Sequence, residues 1–396
     1  MELIRIIHPV GHGAFYTETF FDSKEYFNIV YDCGTLTAFK DKTREQIIEE
    51  NINCYLNNLK KQQKKEKPKI DAVFISHLHD DHVNGLDYLL KKFNVIFLFL
   101  PQLTDLQKIE IYMHNIIVTN SFNNNSNELI FKLNDDNYKG TKIIKILEEQ
   151  DIKLEEEKEK IEISKEELNK YKRISMKSGT KLYSNIFKDW FFIPYNPKVL
   201  DDSKIKQLYE KIKNDFNNGI DFSFEDLPNI IKNYSCENKL KKIREIYKEV
   251  FDIDNHNIYS MTLFSGLQNT TYLHSNKQCY EYCKRCNCYK ILCTELKNPN
   301  CLYTGDFMAK ENRNLSNLEK HYDRFWNTIE TIQIPHHGSI YNHNSKLYSN
   351  INNAFVNVDK NDKYQDTLND INKNGCKKID IVTENISTMK IYKYYK

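Results

Sequence analysis

The sequence predicts an α/β layered protein, and three observations carry that prediction. IDAVFIS (70–76), the turn HLHDDH, VNGLDYLLKKF (83–93) and NVIFLFLP (94–101) read as strand, turn, helix, strand. Further strand-sized apolar runs recur to the end of the chain. The 396 residues are 40% hydrophobic, enough to bury one large core or two smaller ones.

The elements follow in order. LIRIIHPV (3–10) reads as a strand, Gly11 and Gly13 allow a tight turn, and AFYTETF (14–20) and YFNIVYDCG (26–34) continue a sheet. Ile47, Ile48, Ile52, Tyr55 and Leu56 fall near helical spacing and predict a helix over about 43–62. It closes on the basic run KKQQKKEKPK (60–69), the pattern of a solvated surface. Residues 103–178 are very polar and mostly helical in pattern, and 198–250 return to charged helices. These two stretches read as helical insertions in a single domain of 1–396. WFFIPYNP (190–197), NIYSMTLFSG (257–266), CLYTGDF (301–307), TIQIPHHGS (331–339) and AFVNVD (354–359) read as core strands. A helix near 363–374 and the strands KKIDIVTE (377–384) and STMKIYKYY (387–395) finish the chain.

Lys and Arg number 57 against 55 Asp and Glu, a net charge of +2 that selects neither nucleic acid nor membrane as partner. No apolar run approaches the ~18 residues of a membrane span. The N-terminal MELIRIIHPVGHG lacks the apolar core and cleavage site of a signal peptide, so a cytoplasmic location is expected. The ten cysteines are then expected to be reduced.

The chemistry concentrates at ISHLHDDHVNGL (75–86). His77, His79, Asp81 and His82 form H-x-H-x-D-H at the C-terminal end of a buried strand. Imidazole and carboxylate suit zinc and similar divalent ions. Past the strand end, His77 and His79 can converge on one ion while Asp81 and His82 address a second. Asp306, ending LYTGD (302–306), offers two oxygens and can bridge two cations. IPHHGS (334–339) adds His336 and His337. His336 is favoured as the metal ligand, and His337 as a contact to a ligand or to substrate.

These residues carry a resemblance. H-x-H-x-D-H, then T-G-D, then P-H-H-G-S in that order resembles the metallo-β-lactamase superfamily, and more narrowly the soluble hydrolase domain of bacterial competence DNA-uptake proteins. VGHGAFY (10–16), IVYDCG (29–34), LFLP (98–101), the N-x-x-S beginning at Asn257 and AFVNVDKND (354–362) fall in the matching order. The resemblance implies a four-layered αββα sandwich with two divalent ions, zinc or else manganese, at the sheet ends. It also implies metal-assisted hydrolysis. Asp81 and His337 are then candidate catalytic residues. Asp81 could orient the attacking oxygen, and His337, Ser339 or an insertion lysine could stabilise negative charge. Two features depart from the family. The further histidine of the first metal has only His114, His256 and His274 as candidates. The Gly-His-Pro expected after the late Asn is NDKYQD (361–366) here, which leaves Tyr364 in its place.

CYEYCKRCNCYKILC (279–293) places Cys279, Cys283, Cys286 and Cys288 at short spacings, with Cys293 and Cys301 near. An additional structural zinc, free thiols in a hairpin loop, or a disulfide are the open readings. The stretch 267–300 is expected to project from the sheet. The function expected is a phosphodiesterase or nuclease acting on nucleic acid or a nucleotide. The alternatives are an ester, thioester or lactam hydrolase, or a metal-binding module whose helical insertions hold a protein partner. The insertions could also cover the cleft, in which case deleting 103–178 would alter specificity more than metal content.

Overall fold

The computed structural model describes residues 2–393 apart from 23–24, 135–139, 150–159, 165, 167–174, 199–201, 235–237, 252–259, 268–276, 284–287, 294–297 and 361–362. The chain opens with β1 (Glu2–Ile7), β2 (Gly13–Asp22), β3 (Glu25–Thr35), α1 (Arg44–Gln63) and β4 (Lys69–Phe74). The first metal-seeking run starts α2 (Asp80–Val83), followed by α3 (Leu86–Lys92) and β5 (Asn94–Pro101). Then come α4 (Asp105–Thr119), α5 (Asn125–Asn134), β6 (Lys142–Ile146), β7 (Lys160–Glu162), β8 (Ser175–Met176), β9 (Lys181–Tyr183) and β10 (Trp190–Tyr195). Three helices follow, α6 (Ser203–Phe216), α7 (Leu227–Asn233) and α8 (Lys239–Val250). The last third holds β11 (Thr262–Leu267), β12 (Lys277–Cys283), β13 (Cys288–Cys293), β14 (Cys301–Tyr303), α9 (Asn312–His321), α10 (Asp323–Trp326) and β15 (Thr331–Gln333). β16 (Asn353–Asn357), α11 (Gln365–Lys373), β17 (Lys378–Val382) and β18 (Ile386–Lys393) complete it.

Two sheets pack face to face with helices outside, the αββα order. The first runs β13-β12-β18-β1-β2-β3-β4-β5-β6-β8, the second β17-β16-β15-β14-β11-β10-β9-β7. The strands are buried on both faces, and the alternation of side chains sorts them into layers. In β4, Ala72 and Phe74 point into the layer between the sheets, with Phe192, Leu263 and Tyr303 from the other sheet. Its neighbour Val73 points out and packs with Ile52 of α1 and Leu89 of α3. On the second sheet, Phe191, Ile193 and Leu302 face outward against Leu315, Leu318 and Ile371 of the C-terminal helices.

The inter-sheet layer holds a charged pair. Arg5 and Glu18 are fully buried. Arg5 Nε donates to Glu18 Oε1 at 2.7 Å, and Tyr303 Oη and Ser265 Oγ of the opposite sheet donate to the same carboxylate at 2.9 and 2.6 Å. A buried carboxylate needs such partners, and here they tie one sheet to the other.

Two expectations are corrected. Among its described residues, the stretch 103–178 also holds strands: β6 and β8 extend the first sheet and β7 joins the second. Ile143, Ile144 and Ile146 supply the apolar run that wins over the polar setting. The helices of 198–250 pack into the same core as α1, α3 and α4 through Ile205, Leu208, Ile243 and Tyr247. The described strands of the cysteine-rich stretch join a sheet instead of projecting from one: β12 pairs along β18 and β13 is the edge strand beside it, while β11 and β14 pair directly with each other.

Candidate metal centre

Three strand ends and one early turn build the site. β4 ends at Phe74, and Ser76 and His77 follow before His79 stands at the N-cap of α2. The turn is pinned from several sides. Asp32, in the left-handed region at φ 56°, accepts from the Ser76 N–H and Oγ–H, both at 2.7 Å. Asn115 of α4 accepts from the Asp80 N–H at 3.0 Å and donates to the Leu78 carbonyl at 3.1 Å. Asp80 itself turns away from the cluster, taking Ser126 Oγ–H at 2.7 Å and Arg44 Nη1 at 3.0 Å. Gly34 lies so close under the turn that a Cβ there would sit 2.5 Å from the Asp81 carbonyl carbon.

The second sheet brings the other half. Gln333 Oε1 accepts from the Thr304 and Gly305 N–H groups at 3.0 and 2.9 Å, and Asp306 N–H donates to Ser260 Oγ at 2.8 Å. Gly305 has φ 53°, and a Cβ on it would meet Ser260 Oγ at 2.3 Å. After β15, His336 and His337 both take φ 49°. Two successive non-glycine residues in this sparsely populated region mark strain held by the surrounding structure.

Three of the six metal-ligand candidates, Asp81, His82 and Asp306, meet in one compact group with His337. Asp81, His82, Asp306 and His337 each place one donor atom within 4.8 Å of the others, all buried. His337 Nε2 is 3.1 Å from Asp81 Oδ2, and His82 Nε2 is 3.2 Å from Asp306 Oδ1. The two oxygens of Asp306 face different imidazoles. Oδ1 faces His82, with His337 Nε2 at 3.9 Å, whereas Oδ2 faces His77 Nε2 at 3.6 Å and His336 Nε2 at 3.9 Å. That division is what a carboxylate shared by two cations requires. His337 therefore enters the compact group, and His336 stands on the His77 side of Asp306. His79 lies against His77 with ring centroids 4.6 Å apart.

Hydrogen bonds aim the rings. His77 Nδ1–H donates to Ser76 Oγ at 2.9 Å, His82 Nδ1–H to Asp32 Oδ2 at 2.8 Å, and His337 Nδ1–H to the Asn357 carbonyl at 3.0 Å. Each such bond leaves Nε2 facing inward, the arrangement metal-binding histidines use. The Nε2 atoms of His77, His79 and His82 are buried with no hydrogen-bond partner. Buried polar atoms are normally satisfied, so three bare nitrogens around two carboxylates form a donor set that fits divalent cations.

The electrostatics agree. Burial holds His77 down to about 3 and His79 well below its ordinary value, so both are neutral lone-pair donors. Burial would also lower His82, but Asp306, Asp81 and Asp32 outweigh it and hold it well above. His337 is raised in the same way, burial being overcome by its bond to Asp81 and by Asp306. Burial opposes ionisation of Asp81 and Asp306, yet the imidazoles, His82 first, hold both well below the usual carboxylate range.

Several neighbours carried no clear sequence signal. His12 Nε2 reaches 3.7 Å from Asp81 Oδ2, its ring 4.1 Å from that of His337. His114, on α4 rather than at a strand end, stacks on His79 at 3.9 Å. Asn342 Nδ2 donates to His336 Nδ1. Tyr364 packs over Gly338. His256, Asn257, His274 and Cys286 lie outside the described residues. The backbone register pairs Cys283 with Cys288 and Cys279 with Cys293. Cys279 and Cys283 are four positions apart on one strand, about 13 Å. Of the expected set Cys279, Cys283, Cys286 and Cys288, the backbone thus places Cys279 and Cys283 on β12 and Cys288 on the neighbouring β13, with Cys286 beyond the described residues.

The metallo-beta-lactamase superfamily model matches residues 24–96, a span that holds Asp32 and the whole H-x-H-x-D-H run. No curated protein matches the chain. Among solved structures, the metallo-beta-lactamase fold protein YhfI from Bacillus subtilis is similar at 8% identity and a TM-score of 0.40, over 98% of this chain and 99% of that one. No helix among the described residues is long and apolar enough to cross a membrane.

Proposed function

We propose that this chain is a metal-dependent hydrolase of the metallo-β-lactamase superfamily that cleaves phosphodiesters, as a phosphodiesterase or nuclease on nucleic acid or nucleotides. The observation that carries the reading is Asp306, whose oxygens face two separate sets of imidazoles, His82 and His337 on one side and His77 and His336 on the other. Asp81, His82 and His337 would hold one ion, and His77, His79 and His336 the other, with Asp306 shared. The mixed nitrogen and oxygen donors suit zinc, and manganese next. Divalent ions bound there would activate a water and polarise the scissile phosphoryl oxygen.

The chain's own groups do the rest. Asp81 Oδ2, with His337 at 3.1 Å and His12 at 3.7 Å, lies where a carboxylate can orient the attacking water and accept its proton. Asp32 and the Asn357 carbonyl keep the His82 and His337 rings fixed, so no reorganisation is needed as charge develops. The phosphodiester assignment rests on the likeness of the three motifs to the competence DNA-uptake domains, and on the suitability of paired cations for in-line displacement.

The test is hydrolysis by zinc- or manganese-loaded protein across single- and double-stranded DNA, RNA, cyclic nucleotides, bis(p-nitrophenyl) phosphate, and carboxylic and thioesters. Cleavage of phosphodiesters that Asp306→Asn abolishes is the expected result. Turnover confined to the carboxylic or thioesters refutes the assignment.

A further inference from the structure

The cluster is closed on one side and open on the other. His77, His79 and His82 are buried, with α4 behind them, while the His12 and His336 side chains keep 27% and 21% of their surface exposed. The opening therefore lies between the loops that carry these two residues. The first loop is tied to His12: Leu36 N–H donates to the His12 carbonyl at 2.7 Å, and His12 N–H to Thr37 Oγ1 at 2.8 Å. The second follows His337 and is tied back by Ser339 N–H to the His336 carbonyl at 2.8 Å and by Asn342 N–H to Ser339 at 3.1 Å. The rings of His12 and His337, 4.1 Å apart, bring the loops together over Asp81.

Each loop presents apolar surface to solvent. Among the described residues five large hydrophobics are exposed, and three of them, Phe39, Ile340 and Tyr341, at 40, 43 and 47%, lie on these loops. Most of the exposed large apolar side chains among the described residues thus fall on the two short loops beside the buried cluster of metal-binding groups. Cations accompany them. Lys310 is exposed with Nζ 5.9 Å from the Tyr341 ring centre, and Lys40, also exposed, follows Phe39. Unstacked aromatic faces next to lysines, at the mouth of a phosphodiester-cleaving site, match the groups that bind an unpaired strand: rings for bases, cations for backbone. Duplex DNA has its bases stacked inside and offers such rings nothing.

We infer that Phe39 and Tyr341, with Lys310, form the strand-binding rim of the site, taking the nucleotides that flank the scissile phosphate of a single-stranded nucleic acid. The inference rests on the phosphodiesterase reading and narrows its substrate to unpaired strands. Tyr341 supplies a stacking face, Lys310 meets the adjoining phosphate, and Phe39 receives a base on the opposite side of the opening.

The experiment is fluorescence anisotropy of zinc-loaded protein with a labelled phosphorothioate oligothymidylate, which resists cleavage, and with a duplex of equal length. Tyr341→Ala should weaken binding of the single strand about tenfold, the usual range for one lost stack. Lys310→Ala should weaken it severalfold and flatten its salt dependence. Tyr341→Trp should bind as the parent does, and Ile220→Ala, exposed on the helical lobe, serves as the control. Equal affinity of parent and Tyr341→Ala overturns the rim, as does equal loss for strand and duplex or no binding by the parent. A parent that binds strands through Tyr341 yet hydrolyses no phosphodiester leaves the rim standing and removes the hydrolase assignment.

Discussion

At the scale of single residues, the site depends on carboxylates and on the groups behind the imidazoles. Asp306→Asn keeps shape and one acceptor but removes the charge that His77 and His82 face. It should cut hydrolysis by at least about a thousandfold, read as kcat/KM, with loss of bound metal. Asp32→Asn leaves every proposed ligand in place and removes the carboxylate that fixes His82. Metal affinity, measured by chelator competition, should fall about 10- to 100-fold. Protons and cations compete for His82 and His337, both of which hold their protons above the ordinary imidazole value of 6.5. Apparent metal affinity should therefore climb as pH rises past 6.5, with proton release on binding seen calorimetrically in buffers of different ionisation enthalpy. The sign in the metal-free protein is the opposite for stability. A histidine raised in the folded state stabilises fully below its unfolded value, and that contribution is lost as pH rises through the folded value. Melting in chelator should thus decline from pH 6.5 upward, and zinc should restore it.

At the scale of elements, α4 is part of the metal centre and not a lid over it. Asn115 clamps the turn between His77 and His82 at both Leu78 and Asp80, so Asn115→Ala should cost about 1–3 kcal/mol in denaturant unfolding and lower metal affinity with it. Deleting 103–178 should remove metal binding altogether, which reverses the expectation that specificity would change more than metal content. The sequence showed the strand-turn-helix at 70–93 and the strand ends at Asp306 and His336, because apolar runs and clustered donors are local signals. It did not show which of His336 and His337 joins the compact group. That depends on two successive left-handed residues, a conformation no side-chain pattern announces. Nor could it place His12, Asn115 or Gln333, which act through contacts between segments distant in the chain. The run at 142–146 hid its strand in a polar setting. Charge composition dominated the reading there, while three buried isoleucines decide the structure.

At the scale of the whole molecule, the two sheets each supply half of the centre, so the packing between them sets its geometry. Away from the metal centre, Glu18 draws partners from both, through Arg5 on one side and Tyr303 and Ser265 on the other. Glu18→Ala strands a buried guanidinium and should destabilise by about 3–5 kcal/mol in urea unfolding. The measurement that bears most directly on the account is anomalous diffraction at the zinc edge from crystals of the zinc-loaded protein. The account predicts two peaks flanking Asp306, one within about 2.0–2.2 Å of donors from Asp81, His82 and His337 and the other within that distance of His77 and His79 nitrogens. A single peak that leaves Asp306 uncoordinated, or no peak among these residues, would contradict it.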